Sequence, residues 1–277
     1  MTSPRRIATT LGIYVVLAVA AVVTLGPFLL SVMTAFKSPS QFAQEHSLAL
    51  PRPFGLENFG TLLTGPAQFG SAILVTVAVT SVIVIFQLGF SVLAAYAFAR
   101  IDFAGRRVLF WVYLAGLMVP NIVLVIPLYL MMVELGLRNT FWGLVLPFMF
   151  GSPYAIFLLR EYFRGIPRDL VDAARIDGAG HWRILSSIIV PLSKPIIATL
   201  TLITIVSQWN SFLWPLVITS GSEWSVITVA TASLQSQYNG NWTLVMAATT
   251  LALVPLVVLF LAFQKQVVRS ITISGFK

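Results

Sequence analysis

The chain has 277 residues, 58% of them hydrophobic and 9% charged, with a formal net charge of +8 and no cysteine. Soluble domains carry roughly a quarter charged residues, so this composition excludes a soluble globular enzyme, a disordered tail and a nucleic-acid binder. The lack of cysteine excludes disulfides, thiolate metal sites and cysteine nucleophiles, and what remains is a polytopic membrane protein.

Charge-free stretches locate the crossings, because a helix needs about 20 apolar residues to span the hydrocarbon core. No Asp, Glu, Lys or Arg occurs in 7–36, 58–99, 108–133, 139–159, 195–222 or 224–264. Six transmembrane helices are therefore expected, near 11–33, 70–98, 108–132, 140–159, 195–218 and 243–263, giving an all-α membrane protein of one transmembrane domain covering 1–277. Arg5-Arg6, the apolar run and Ala18-Val19-Ala20 also fit a secretory signal. Cleavage there would leave Ala21 to Leu30, too short to span, so an uncleaved first helix is expected.

Charge fixes the expected orientation. With the N-terminus in the cytoplasm, fourteen of the seventeen Lys and Arg fall inside; only Lys37, Arg52 and Arg138 fall outside. The basic balance is thus a record of topology, with both termini cytoplasmic. Segment 34–69, with Pro39, Pro51, Pro53 and Pro66, is expected as an extracytoplasmic loop, and 219–242 as another. Trp111 and Trp142 suit interfacial belt positions.

The spans carry little chemistry. Ion-coupled carriers keep a titratable or coordinating group at membrane depth, yet every charge lies in a loop or at a helix end. The two histidines, His46 and His181, fall in polar segments and cannot form a His-Glu-x-x-His zinc site. No Gly-x-x-x-x-Gly-Lys-Ser/Thr loop exists to hold nucleotide phosphates. Uphill transport would have to draw its energy from another subunit. The polar candidates for contact with an uncharged solute are Gln87, Asn121, Gln208, Trp209, Asn210 and Trp214, since amides give a donor and an acceptor to paired hydroxyls. Ordinary interhelical hydrogen bonding is the alternative use of the same groups.

The long inside loop, 160–194, holds a short helix between breakers. Pro167 precedes it, Asp169 is placed to N-cap it, and Asp172 follows in a capping-box position. Gly178 and Gly180 permit a left-handed exit. Ala173 and Ala174, beside Leu170 and Val171, are expected to form a small surface that another backbone can approach. A helix resting on lipid headgroups is the competing reading, with Arg175 and Arg183 on phosphates. An amphipathic segment from His181 to Val190 follows, and Pro191 opens the next membrane helix.

Asp172-Ala173-Ala174, three residues, Gly178, nine residues, then Ile188-x-Val190-Pro191 resembles the EAA motif of bacterial ATP-binding-cassette importer permeases, Glu-Ala-Ala-x3-Gly-x9-Ile-x-Leu-Pro. Asp172 replaces Glu and Val190 replaces Leu; the shorter acid changes the reach of any salt bridge it makes. Ala94 to Arg100, Trp209-Asn210-x-Phe212 and the polar tail ending Gly275-Phe276-Lys277 are similar to the carbohydrate permeases of the maltose-importer type. The resemblance covers nearly the whole chain and implies a type I importer permease fold in a bacterial inner membrane.

It further implies that the 169–181 helix is a coupling helix seated in a cytoplasmic ATPase dimer, with Asp169, Asp172, Ala173, Ala174, Arg175, Asp177 and Gly178 as its contact set. ATP and Mg would be bound by that ATPase and no cofactor by this chain. The other implied partners are a second homologous permease, an extracytoplasmic solute-binding protein and a sugar-like solute. Gln235, Gln237, Tyr238 and Asn239 would face the binding protein. Closely similar permeases carry glycerol 3-phosphate or glycerophosphodiesters, which stays open here as an alternative cargo. An ion-coupled carrier and a structural membrane scaffold are the readings from other classes.

Overall fold

A computed structural model describes residues 4–65, 68–237 and 241–274 and is helical throughout, without a strand among the described residues. In chain order the helices are α1 (Pro4–Ala35), α2 (Pro39–Gln44), α3 (Glu57–Thr64), α4 (Phe69–Arg100), α5 (Arg106–Ala115), α6 (Asn121–Glu134), α7 (Phe141–Val145), α8 (Pro153–Gly165) and α9 (Arg168–Ile176). There follow α10 (His181–Ile184), α11 (Val190–Leu192), α12 (Lys194–Trp209), α13 (Leu213–Ile218), α14 (Ile227–Gln237) and α15 (Trp242–Ser274). The chain divides into two compact units, Met1–Gly70 with Ala230–Pro255, and Ser71–Val229 with Leu256–Lys277.

Among the described residues three helical segments are long and apolar enough to cross a membrane, Thr9–Ala35, Phe69–Arg100 and Trp242–Gln264. Two bent pairs raise the number to five: Arg106–Met118 with Asn121–Glu134, turning by 101°, and His181–Leu192 with Lys194–Trp209, turning by 78°. Each turn has a local cause. The first lies at Val119-Pro120, where proline bars the α conformation from the residue before it. The second lies at Ser193, followed by Lys194-Pro195 at the start of α12.

The sequence expectation of one helix over 140–159 is not met. The helix stops at Val145, turns through 146–152 and restarts at Pro153. Pro147 cannot donate to a helical ladder, and Gly151-Ser152-Pro153 restarts one with proline at its first position. The expected helix over 195–218 is likewise interrupted, between Trp209 and Leu213. The segment 219–242, expected as a loop, contains α14. Its first amide, Ile227 N–H, donates to Thr76 Oγ1 of α4 at 2.8 Å, a cap supplied by tertiary structure and invisible to local pattern.

In the first unit the segment after α1 is held by buried polar side chains rather than by apolar packing. Asn58 donates to the carbonyls of Ala35 (2.8 Å) and Lys37 (2.9 Å) and accepts from Thr243 Oγ1 at 3.2 Å. Lys37 is 1% exposed and its Nζ donates to the carbonyls of His46 and Ser47. Gln41 joins Glu45, Leu50 and Arg52. Buried polar groups are stable only when partnered, so these bonds make 34–58 a folded structure and not a slack loop. The apolar flank of α1 from Leu11 to Leu29 is exposed, as befits a helix surrounded by lipid or another helix.

In the second unit two apolar clusters set the frame. One joins α4 (Leu88, Ala95, Tyr96), α8 (Leu159, Phe163), Val171 of α9, Ile184 of α10, Ile189 and Leu200 of α12. The other joins the N-terminal half of α4 (Val79, Ile83) to Met132 of α6, Leu144 and Val145 of α7, and Trp214 and Ile218 of α13. The first cluster carries α9; the second carries the interrupted segments.

Candidate coupling site and translocation path

The nine residues of α9 make a rod about 14 Å long. Val171 is 3% exposed and Ala174 packs against the same cluster, so the helix is bolted to the membrane domain along one line. Its N-terminus differs from the sequence expectation. Pro167 occupies the N-cap, the helix begins at Arg168, and no side chain caps it. Asp169 therefore lies in the first turn, where its charge favours the helix dipole without a capping bond.

The C-terminus is closed completely. Gly178 N–H donates to Arg175 O (3.0 Å) and Ala179 N–H to Ala174 O (2.9 Å), the paired bonds of a Schellman motif. This requires a left-handed residue, and Gly178 has φ +79°. Gly180, expected to share that role, is extended (φ −72°, ψ 169°) and instead starts α10.

Helical spacing separates the residues expected to act together. Arg168, Val171, Asp172 and Arg175 share one face and line a recess against α4, α5 and α8. Leu170 (47% exposed), Ala173 and Ile176 (87% exposed) point away from it, with Asp169 and Asp177 exposed beside them. Ala173 and Ala174 thus do not form one surface: Ala174 is turned inward, Ala173 outward. Asp172 pairs with Arg175 across one turn at 3.7 Å. Trp182 adds an exposed indole just beyond the glycines.

Three long-range contacts set the angle at which α9 leaves the bundle. A terminal nitrogen of Arg100, at the end of α4, donates to the carbonyls of Phe163 and Ile166, satisfying the frayed C-terminus of α8 just before α9. Arg160 lies over the Phe110 ring at 3.9 Å and joins α8 to α5. Burial lowers the pKa of its guanidinium, and Glu161 beside it works in the opposite sense. Tyr96 OH meets His181 Nδ1 at 3.2 Å and ties α10 to α4.

The polar candidates along the spans divide by what they touch. Gln87 donates to Phe148 O at 2.8 Å and Trp214 Nε1 to Gly143 O at 3.1 Å; both hold the interrupted α7 segment in place. Gly143 has no alternative there, since a Cβ would lie 2.2 Å from Leu137 O. Trp209 is 6% exposed and hydrogen-bonded or stacked within the fold. Asn121 and Asn210 are exposed, each at a helix break, and Asn210 returns one amide bond to Val206 O (2.8 Å). Gln208 lines a small cleft with Thr76, Thr80, Ser211 and Trp214. Thr80 Oγ1 is buried there without a hydrogen-bond partner among the described residues; the sequence reading missed it because threonine in an apolar helix usually bonds its own preceding turn. Among the outer-loop candidates, Gln235 is exposed on α14 and Gln237 ends that helix; Tyr238 and Asn239 lie outside the described residues.

Residues 87–273 match the family of binding-protein-dependent transport system inner membrane components. The chain belongs to that family. This permease is 33% identical over 263 residues, 94% of each chain, to the arabinooligosaccharides transport system permease protein AraQ of Halalkalibacterium halodurans. It is 32% identical over 268 residues to the sn-glycerol-3-phosphate transport system permease protein UgpE of Yersinia pestis, covering 94% of this chain and 95% of that one. Its fold superimposes with TM-score 0.83 on a chain of a bacterial ABC transporter involved in the import of the acidic polysaccharide alginate, at 25% identity, covering 96% and 98% of the two chains. The protein is a multi-pass inner-membrane permease subunit of an ABC importer and not an enzyme.

Proposed function

We propose that this permease forms half of the path for a sugar or sugar-like solute, pairs with a second homologous permease, and is driven by a cytoplasmic ATPase dimer that grips the outward face of α9. An extracytoplasmic solute-binding protein delivers the cargo, and both chain termini lie in the cytoplasm. The observation that carries the reading is the single α9 rod: closed by its glycine cap, fixed inward by Val171 and Ala174, and bare outward at Leu170, Ala173 and Ile176. A rod so fixed passes displacement to the helices behind it, whereas a loop would absorb it.

On this reading Asp169, Ala173 and Asp177 meet the ATPase directly. Asp172, Ala174, Arg175 and Gly178 hold the rod in shape. Asn121 and Asn210 offer amides to solute hydroxyls at helix breaks, the only kind of place where non-helical backbone is tolerated at membrane depth, because it lines a cavity or protein. Gln208, with Thr80 and Ser211, supports that path; Gln87, Trp209 and Trp214 shape it. Gln235, exposed on α14, meets the binding protein.

The test is Ala173→Trp in the assembled importer, read by copurification of the ATPase and by uptake. Loss of ATPase with the permease still folded is the expected result; normal assembly and uptake would sink the docking assignment. A second cargo, a glycerol phosphate, is favoured by the similarity to UgpE. It is separated from a neutral sugar by thermal-shift screening of the cognate binding protein against both ligand classes.

A further inference from the structure

The recess behind α9 has a volume of about 350 Å³ and is lined mostly by charged side chains, with Phe98, Ala99 and Val171 between them. Most of its arginines have an acid: Arg106 pairs with Asp102 at 2.6 Å, Arg175 with Asp172, and Arg160 and Arg164 share Glu161. Two are in no direct ion pair. Arg100 and Arg168 line the same recess without a salt bridge among the described residues; the Asp172 carboxylate acts on Arg100 only at longer range, and the Nε of Arg100 is buried and unbonded. Six arginines face only two acids, Asp102 and Asp172, in the lining, so the half-enclosed space carries excess positive charge that a further anion would offset.

We propose that this recess is a binding site for a phosphate-bearing anion, held between Arg100 and Arg168. The guanidinium fork matches phosphate oxygens in pairs. The volume admits a headgroup-sized group and no helix. The mouth also adjoins a surface fit for lipid, because Arg106 begins α5 and the next residues, Val108, Leu109, Trp111 and Val112, are exposed and apolar. An anionic phospholipid headgroup or free phosphate supplies the same chemistry. The site lies on the inward face of α9, opposite Ala173, so it stands independently of the ATPase assignment.

The experiment uses the full chain purified in detergent. Native mass spectrometry with phosphatidylglycerol and phosphatidylcholine is expected to show retention of the anionic lipid favoured about fivefold. Arg168→Gln abolishes the preference and Arg168→Lys restores part of it; Arg183→Gln, an exposed arginine outside the recess, leaves it intact. In lipid-free detergent, inorganic phosphate that raises the melting temperature of the parent and not of Arg168→Gln assigns the site to free phosphate instead. Equal retention of both lipids with no phosphate shift overturns the proposal, as do equal effects of Arg168→Gln and Arg183→Gln.

Discussion

The amide of Ala179 donates to the carbonyl of Ala174 at 2.9 Å and, with the bond from Gly178 to Arg175, turns a nine-residue helix into a closed rod. It forms because Gly178 between them adopts φ +79°, and a left-handed residue with a Cβ costs roughly 1–2 kcal/mol. Gly178→Ala meets no atom within 4 Å, so its effect is that backbone cost alone. The expected result is a destabilisation of about 1 kcal/mol with impaired uptake, whereas Gly180→Ala, at an extended position, leaves both unchanged. Thermal unfolding and transport assays of the two variants check this.

Arg100 satisfies two carbonyls at the end of α8. Arg100→Gln removes the charged donor and leaves those oxygens poorly bonded, at a cost of about 2 kcal/mol, since hydrogen bonds to charged groups contribute roughly 1.5–3 kcal/mol. Protease protection around 163–168 should fall before global unfolding. Unchanged protection would contradict the clamp.

Asn58 uses both its donor and acceptor sides inside the first unit. Asn58→Asp keeps the shape, removes the two donors and sets a carboxylate against two carbonyl oxygens. A loss of about 3 kcal/mol is expected, seen as a melting temperature well below that of Asn58→Ser.

The path assignment separates stability from transport. Gln87→Leu breaks the bond to Phe148 O and should lower stability by about 1 kcal/mol. Asn210→Ala gives up only a bond to its own helix, so its melting temperature should hold while the concentration of solute for half-maximal uptake rises several-fold. The reverse pattern would remove Asn210 from the path.

Topology is directly testable because the chain has no cysteine. Ser40→Cys and Ser186→Cys place exposed thiols on segments assigned to opposite sides. An impermeant maleimide should label the first in intact cells and the second only after permeabilisation.

Much of this was legible in the residues. Repeated charge-free, apolar runs of twenty or more match the thickness of a bilayer's hydrocarbon core, so composition decided the membrane class, and the glycine after Asp172-Ala173-Ala174 marked where α9 must end. The division of α9 into two faces was not legible. Ala173 and Ala174 are chemically identical, and only the packing of Ala174 with Val171 against α8 and Ile184 tells them apart. The absence of a side-chain cap at Asp169 escaped for a related reason: proline at 167 already presets the first turn, and the motif of spacing cannot report which residue the backbone selects.

Local pattern also could not show where long helices stop. A stretch without charges looks continuous whether or not Pro147 and Gly151 divide it, and α14 owes its start to a hydroxyl of Thr76, 151 residues earlier in the chain. The amino-acid sequence by itself determined that this protein lives in lipid and carries a short capped helix outside it, because transfer free energy and backbone sterics act residue by residue. Only the tertiary structure decided which groups meet: Arg100 with the end of α8, Gln87 with Phe148, and six arginines gathered in one recess behind α9. Hydrogen bonds and Coulomb forces between distant residues depend on positions that exist once the helices have packed.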